Sequence, residues 1–464
     1  MEHERPFLDH GCNGVQGELS TRREFMRDAA TVALTVATLT GSVPAAVAEK
    51  VSSKPIKRST ISRVKAAVRR EESTLRLGGM GDNFHMSWAG DGRQIFALCD
   101  GLGWADQPKE FYNSRLYSVA GDPHGAKIDE CSGYPPLTGV LNTENMMRYY
   151  GFGTLAVDGR IYQYLSTPNH QFSRDSVPLP GARFIGAKLI YSPDNGRTWR
   201  NQDGSTPVTW ERWEQRSRDN MVFYEESRDA FSLLSVLQMG RNYEANNDGY
   251  VYVYSPNGNV DGEMNELVMF RVPKAKILDR GAYEYFAGLR HGRATWDHDI
   301  AGRAVVHRFP LGWVNTAFHP WAWMPSVTYN VGLGVYMMAS WGNGCSADGV
   351  WFSKPSYLGL WLSTTPWGPW VQIHEENSWT PMSDSHARAF APQISPKWVS
   401  DDGKSFWMVW SDFQSKATQV ESQHLREQAK RVASREESVR YFQDLSKVMP
   451  FYGFNTQRVE LILV

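Results

Sequence analysis

The chain has 464 residues and a formal net charge of −1 at pH 7, with a sequence pI near 6.9. That length supports a large core. The even charge argues against a nucleic-acid binder or a membrane-surface binder built on basic excess, and nothing after the first fifty residues is apolar enough to insert stably in a bilayer.

Residues 1–48 read as an address. Ser20-Thr21-Arg22-Arg23-Glu24-Phe25-Met26 is followed by a weakly apolar, Ala- and Thr-rich run over 29–40 and then by Ala46-Val47-Ala48, a small-x-small cleavage site. Pair, run and site in that order resemble a twin-arginine signal peptide. They predict the twin-arginine export machinery as a partner and a periplasmic or extracellular location. Cys12 leaves with this segment. Cys99, Cys131 and Cys345 remain, an odd set without short spacing that argues against a disulfide scaffold or a zinc site. Residues 49–75, rich in Lys, Arg and Ser, read as a linker.

From residue 76 onward the pattern is strand and turn. Asp91-Gly92, Asp158-Gly159, Asp248-Gly249 and Asp402-Gly403 each precede an aromatic-rich strand, and Gly332-Leu333-Gly334 precedes a fifth. Asp-Gly favours the primed turns of β-hairpins. Spaced roughly 70–90 residues apart, the copies suit units of about four strands. The predicted fold is all-β: a five-bladed β-propeller over 76–464, with blades at about 76–138, 139–215, 216–300, 301–380 and 381–464. Ser192-Pro193-Asp194-Asn195-Gly196-Arg197-Thr198-Trp199 has the pattern of an Asp-box, whose Asp and Gly shape a turn while its Trp packs beneath. Asp194 is therefore set aside as structural. Residues 416–445 break the strand pattern. They are charged and helical in period, with Val420, Leu425, Ala429, Val432 and Val439 on a sparse apolar stripe. This helical insertion in the last blade reads first as a solvated surface helix packed on one side of the blade and second as a lid or partner helix near a pocket.

The first hairpin carries the chemistry. A three-residue loop pairs Ala89 with Arg93 and sets Asp82 opposite Asp100; a two-residue loop, or a bulge, would change that register. Two adjacent carboxylates split their pKa values, one staying protonated while the other ionises. That is the acid-plus-nucleophile or acid-plus-base arrangement of glycoside hydrolysis. As direct cross-strand neighbours they would favour retention of configuration. The competing reading is that both serve as strand-end acceptors or as cation ligands. Candidate substrate contacts are Asn83, His85, Trp104, Glu144, Arg148, Asn242, Trp323, Tyr329, Asn330 and His386, with Glu144 the substitute acid if the Asp pair fails. His85 also suits a hydrogen-bonded core histidine. No cofactor is required by this chemistry, and a structural Ca²⁺ is compatible with a small propeller although no ligand set stands out.

Gly81-Asp82-Asn83, Cys99-Asp100-Gly101-Leu102-Gly103-Trp104, the Asp-box, the segments 267–274, 283–288 and 326–330, and Pro366-Trp367-Gly368-Pro369-Trp370 occur in that order. Together they resemble the family called domain of unknown function 4185, part of which is classed as glycoside hydrolase family 183, endo-D-arabinanases acting on mycobacterial arabinan. The resemblance spans about 76–464. It implies a five-bladed propeller and an acidic pair at Asp82 and Asp100. Phe84-His85-Met86 and the 416–445 insertion depart from the family pattern, so arabinan specificity transfers less securely than fold. The expected function is an exported glycoside hydrolase acting on a polysaccharide or oligosaccharide, with an arabinan-type furanoside the substrate the resemblance implies. The alternative is a non-catalytic carbohydrate-binding propeller.

Overall fold

The structure, a computed structural model, describes residues 61–140, 147–168, 183–258, 265–310, 324–343 and 355–464. Its strands form five antiparallel sheets. Blade 1 runs outward through Met86–Trp88, Gln94–Gly101, Tyr112–Ala120 and Lys127–Glu130. Blade 2 runs through Tyr150–Val157, Arg160–Pro168, Phe184–Ser192 and Arg200–Asn201. Blade 3 runs from Ser235–Val236 through Tyr250–Pro256, Glu266–Pro273 and Glu284–Arg290 to Arg293–Asp297. Blade 4 comprises Ser326–Asn330, Val335–Asn343, Ser356–Ser363 and Val371–Glu376. Blade 5 comprises Ala389–Val399, Ser405–Asp412, Asn455–Leu463 and, outermost, Val64–Arg69. The five innermost strands touch in a closed cycle, 1-2-3-4-5-1, so the protein is a five-bladed β-propeller.

Each of the five predicted turns joins an innermost strand to its second strand, which puts all of them at one end of the ring. The second strands are β-branched and aromatic along their length, as in Tyr250–Pro256, because they are covered on both faces by neighbouring blades. Aromatic contacts fill the space between sheets: Phe223, paired into blade 2, lies against Phe270 of blade 3 with centroids 5.5 Å apart, a contact worth about 0.5–1.5 kcal/mol beyond its buried area.

An innermost strand has one edge facing the central channel, where its backbone groups lack a sheet partner. Side chains from adjacent blades fill this role. Ser87 Oγ accepts from Ala156 N–H (2.8 Å), Ser326 Oγ from Ile394 N–H (2.8 Å), and Gln94 Oε1 from Lys397 N–H (3.0 Å). Gln238 donates to Thr154 C=O (3.0 Å) and to Val236 C=O (3.1 Å).

Several boundaries differ from the sequence expectation. Part of the 49–75 segment, read as a linker, is the outer strand of blade 5: Ala66 pairs with Ile462 and Arg69 with Val459. Its short Lys/Arg-rich alternation is that of an edge strand with one wet face, which composition alone does not distinguish from a linker. Phe223–Tyr224 pairs into blade 2 and His307–Arg308 into blade 3, each beyond the expected blade limit. The insertion is two helices, α1 (Gln419–Arg431) and α2 (Arg435–Val448). Thr418 and Glu421 form a reciprocal capping box at the start of α1, and Ser434 caps α2. Leu425, Val432 and Val439 are buried as expected, but Val420 is 79% exposed. Along α2, Tyr441, Phe442, Leu445 and Val448 are also buried, and Phe442 stacks on Phe111 at 4.2 Å. The insertion therefore packs one side beside the Leu102–Phe111 loop of blade 1 while Arg435, Glu436, Arg440 and Lys447 of α2 stay exposed.

Candidate active site

The end of the ring opposite the turns holds the starts of the innermost strands and the ends of the second strands. Asp82 precedes the first innermost strand, and Asp100 lies near the end of the strand beside it. Near the turn, the expected register is observed: Ala89 N–H donates to Arg93 C=O (2.9 Å), and Met86 faces Phe96. Beyond His85 it slips. Asp82 and Cys99 exchange both backbone hydrogen bonds at 3.0 Å, so Asn83 and Phe84 together oppose Leu98. This is a β-bulge, with Asn83 in the left-handed region at φ 58° and His85 N–H bonded back to Asn83 C=O (2.7 Å). Asp82 and Asp100 are thus not direct cross-strand partners, and the register no longer supports a retaining spacing. Asp100 itself has φ 46°, which breaks side-chain alternation after Cys99 and is the kind of strained backbone found at functional sites. The next residue must be glycine, because a Cβ at Gly101 would lie 1.9 Å from Met80 O.

Asp82 is 6% exposed. Its Oδ1 accepts from Asn83 Nδ2 (2.7 Å), and its Oδ2 accepts from the Tyr452 hydroxyl (3.1 Å). Burial, with the Asp100 charge adding to it, raises the Asp82 carboxyl well above the usual carboxylate range, against the pull of those two donors. The Asp100 side chain is 31% exposed. Asn113 Nδ2 donates to its Oδ1 (2.9 Å), Arg148 Nη1 lies 3.9 Å away, and Tyr150 also bonds it. Desolvation raises Asp100 as well, but Arg148, Asn113 and Tyr150 oppose the rise by favouring its anion. The two carboxyls therefore sit within electrostatic reach in different environments, one buried between neutral donors and one beside a cation.

Of the expected contacts, Asn83 and Arg148 lie at this pair. Arg148 is buried and also donates to the Tyr150 hydroxyl (3.0 Å). His386 is on a loop at the same end, exposed, with Nδ1 3.6 Å from Asp384. Glu144 and Trp323 lie outside the described residues. The others are placed elsewhere. His85 is buried in the channel, with Thr154 N–H 3.1 Å from Nδ1 and Val236 N–H 3.2 Å from Nε2, and burial pushes it down to about 3. As a neutral ring it has one acceptor nitrogen, so it caps one of these two N–H groups, of blade 2 or blade 3, from blade 1. Trp104 packs among Phe84, Phe96, Tyr117 and Phe454, and its indole N–H donates to Leu77 C=O (3.0 Å). It is core rather than a sugar platform. Asn242, Tyr329 and Asn330 belong to the opposite, turn-bearing end. Asn242 Oδ1 accepts from Gly159 N–H (3.0 Å), Asn330 bonds Gly403 C=O (2.8 Å) and Leu333 N–H (3.0 Å), and Tyr329 lies on Tyr336. These polar residues hold turns, which is why they follow the turn pattern in sequence.

The Asp-box is at that far end too. Asp194 accepts from Thr198 N–H (2.8 Å) and Thr198 Oγ1 (2.7 Å), while Asn195 Nδ2 reaches Asp91 in the neighbouring turn (2.7 Å). Cys99 and Cys131 are free and buried, and Cys345 lies outside the described residues. Among the described residues, no three His, Cys, Asp or Glu side chains gather as a ligand set for the Ca²⁺ the sequence left open, and no helix is long and apolar enough to cross a membrane.

Three residues at the pair were not picked out as site residues from sequence. Asn113 was findable, because continuing the register Cys99–Ser114 places it against Asp100. Tyr150 sits two residues after Arg148, on the same face of an extended segment. Tyr452 comes from the far end of the chain, after α2, and no local pattern connects it to Asp82.

No family model matches the chain, and no curated protein matches it. Among solved structures it is similar to the catalytic domain of a GH62 α-L-arabinofuranosidase from Coprinopsis cinerea, at 10% identity and TM-score 0.39, covering 86% of this chain and 98% of that one. It is also similar to an α-L-arabinofuranosidase from Podospora anserina in complex with cellotriose, at 9% identity and TM-score 0.38, covering 86% and 94%. An endo-arabinase from Bacteroides thetaiotaomicron matches at 12% identity and TM-score 0.32, covering 73% and 91%.

Proposed function

We propose that this protein is an exported glycoside hydrolase that cleaves a polysaccharide linkage of the arabinan-furanoside type with Asp82 and Asp100. The observation that carries this reading is the unequal pairing of the two carboxyls at the end of the ring away from the turns. Glycoside hydrolysis needs one carboxyl that holds its proton and one that does not. Asp82, nearly sealed from water and repelled by Asp100, is suited to keep a proton. Asp100, next to Arg148 and bonded by Asn113, is suited to the anionic role. In the reaction Asp82 gives its proton to the glycosidic oxygen as the anomeric C–O bond breaks, and Asp100 either attacks the anomeric carbon or activates the water that does. The stereochemistry of the released sugar distinguishes these two roles.

The arabinan assignment is supported by the sequence resemblance to the family called domain of unknown function 4185. Export by the twin-arginine machinery is supported by Arg22-Arg23, the following apolar run and Ala46-Val47-Ala48. Converting both arginines to lysine should hold the protein in the cytoplasm, as fractionation would show.

The decisive test is release of new reducing ends from an arabinan panel. The wild type should release them, and Asp82→Asn and Asp100→Asn should each lower turnover by roughly 10²–10⁴-fold, the usual contribution of a positioned acid or base. Full activity in both variants would end the assignment. Binding of arabinan without any new reducing ends would favour the carbohydrate-binding alternative, in which the same carboxyls hold sugar hydroxyls.

A further inference from the structure

We propose that the Tyr452 hydroxyl is a two-way hydrogen bond that allows Asp82 to release and regain its proton, making Tyr452 a positioning residue of the site. This inference rests on the hydrolase reading for its place in the reaction, but its geometry stands apart from any substrate.

The Tyr452 hydroxyl lies 3.1 Å from Asp82 Oδ2 and 3.0 Å from the Asp100 backbone C=O. A phenol carries one hydrogen and can also accept. It can therefore serve either state of Asp82 without moving a heavy atom. With Asp82 protonated, Oδ2–H donates to the phenol oxygen, and the phenol donates to Asp100 C=O. With Asp82 ionised, the phenol turns its hydrogen onto Oδ2. In turnover, the Asp82 O–H bond breaks, its electron pair stays on Oδ2, and the proton moves to the glycosidic oxygen. The water that completes hydrolysis supplies the replacement proton. The phenol's own proton never leaves, since burial and the two neighbouring carboxylates raise Tyr452 well above the usual tyrosine range.

The side chain is held for this task. Its ring stacks on Phe413 with centroids 5.4 Å apart at 17°, and its backbone C=O accepts from Gly81 N–H (3.3 Å), next to Asp82. A Cβ at the following Gly453 would lie 2.4 Å from Gly79 O, so the 451–454 segment and the 78–82 segment touch backbone to backbone. The ionisable groups acting on the hydroxyl are Asp82, Asp100 and Cys99 from blade 1, and Arg148 and Tyr150 from blade 2 act on Asp100. Cys99 is raised well above the usual thiol range by burial and both carboxylates, so it stays a neutral thiol. Asn83 donates to the other Asp82 oxygen, which accepts in either state, but its NH₂ cannot take the acid's hydrogen. Tyr452 is the partner that can reverse the direction of its bond.

The test is a ¹³C NMR titration of the full-length protein labelled at the aspartate carboxyls, with Asp82→Asn identifying the Asp82 signal. Removing a donor to the charged form raises a carboxyl pKa. The phenol's bond to the anion is charge-assisted and stronger than the one it accepts from the acid, so in Tyr452→Phe the Asp82 midpoint should rise by roughly one pH unit, the difference between the two bonds. Phe413→Leu disturbs the ring stack but keeps the hydroxyl and should leave the midpoint in place. On the arabinan that the wild type cleaves, Tyr452→Phe should lower kcat about ten- to a hundredfold with KM little changed, and the alkaline limb of the pH profile should move up. An unmoved Asp82 midpoint in Tyr452→Phe, or an equal shift in Phe413→Leu, would overturn the proposal. If the wild type cleaves no arabinan, the hydrolase reading falls while the titration still decides the role of Tyr452.

Discussion

At the scale of single residues, the cost of the site is concentrated in Asp82. Its carboxyl is raised in the fold above its unfolded value, so the folded state binds the proton more tightly. Its contribution to stability is complete below the unfolded pKa and is lost as pH rises through the folded one. Asp82→Asn cannot ionise and escapes that loss. Its melting temperature should equal that of the wild type near pH 3 and exceed it increasingly as pH rises toward neutrality, which a series of thermal melts would show. His85 presents the opposite case. It takes no part in chemistry, yet His85→Ala leaves the Thr154 and Val236 N–H groups facing an empty channel. A neutral imidazole accepts from one of the two, so the expected loss is roughly 1–3 kcal/mol for that one bond, read as a lower denaturant midpoint with turnover per folded molecule retained. Sequence marked both residues but could not separate them. Asp82, Asn83 and His85 lie within four residues just before one strand, and only the bulge at Asn83 determines that the Asp turns to Asp100 while the His turns into the channel.

At the scale of elements, the first hairpin and the helical insertion meet over the same few residues. Phe442 of α2 lies flat on Phe111, and the chain leaving α2 supplies Tyr452. Phe442→Ala should cost about 3 kcal/mol, in the range for emptying a buried aromatic site. If the helices act as a support, part of that loss should appear as reduced turnover rather than as global unfolding alone, a difference resolved by comparing kcat with the unfolding midpoint. The hairpins and the Asp-box were legible because turn chemistry is local: Asp-Gly and Ser-x-Asp-x-Gly-x-Thr-Trp state their geometry within a few residues. The buried face of α2 was less legible. Charges on the exposed side dilute the pattern, and the partner that makes Phe442 a core residue lies more than three hundred positions away. Asn242, Asn330 and Tyr329 were misplaced for a related reason. Polar residues beside turns look alike at both ends of a blade, and only the sheet order says which end is which.

At the scale of the whole molecule, the ring is shut by pairing between distant parts of the sequence. Val64–Arg69 lies along Asn455–Leu463, and Arg69 bonds Glu376 of blade 4 through Nε (2.5 Å) and Nη2 (2.7 Å) as well as Gln457 (3.0 Å). His374 adds a contact to the same Glu376 (2.7 Å). Arg69→Ala strands a largely buried carboxylate and should cost about 3 kcal/mol. Because the clasp joins two blades, the loss should appear first as faster hydrogen exchange in Val371–Glu376 and Asn455–Leu463. A propeller was legible from the repeat alone, but its closure was not, since the closing strand carries the composition of a linker.

That closing strand sets an order of assembly. Residues 64–69 leave the ribosome before any blade is complete, and the strand they must join follows every other described strand of the ring. Until that strand arrives, Val64–Arg69 lacks its partner, and Ser405–Asp412, once formed, keeps a bare flank ready to recruit a stranger. Only once Asn455–Leu463 has emerged can Val64–Arg69 dock and that flank be hidden, so closure of the ring waits on a strand far along the sequence from its partner.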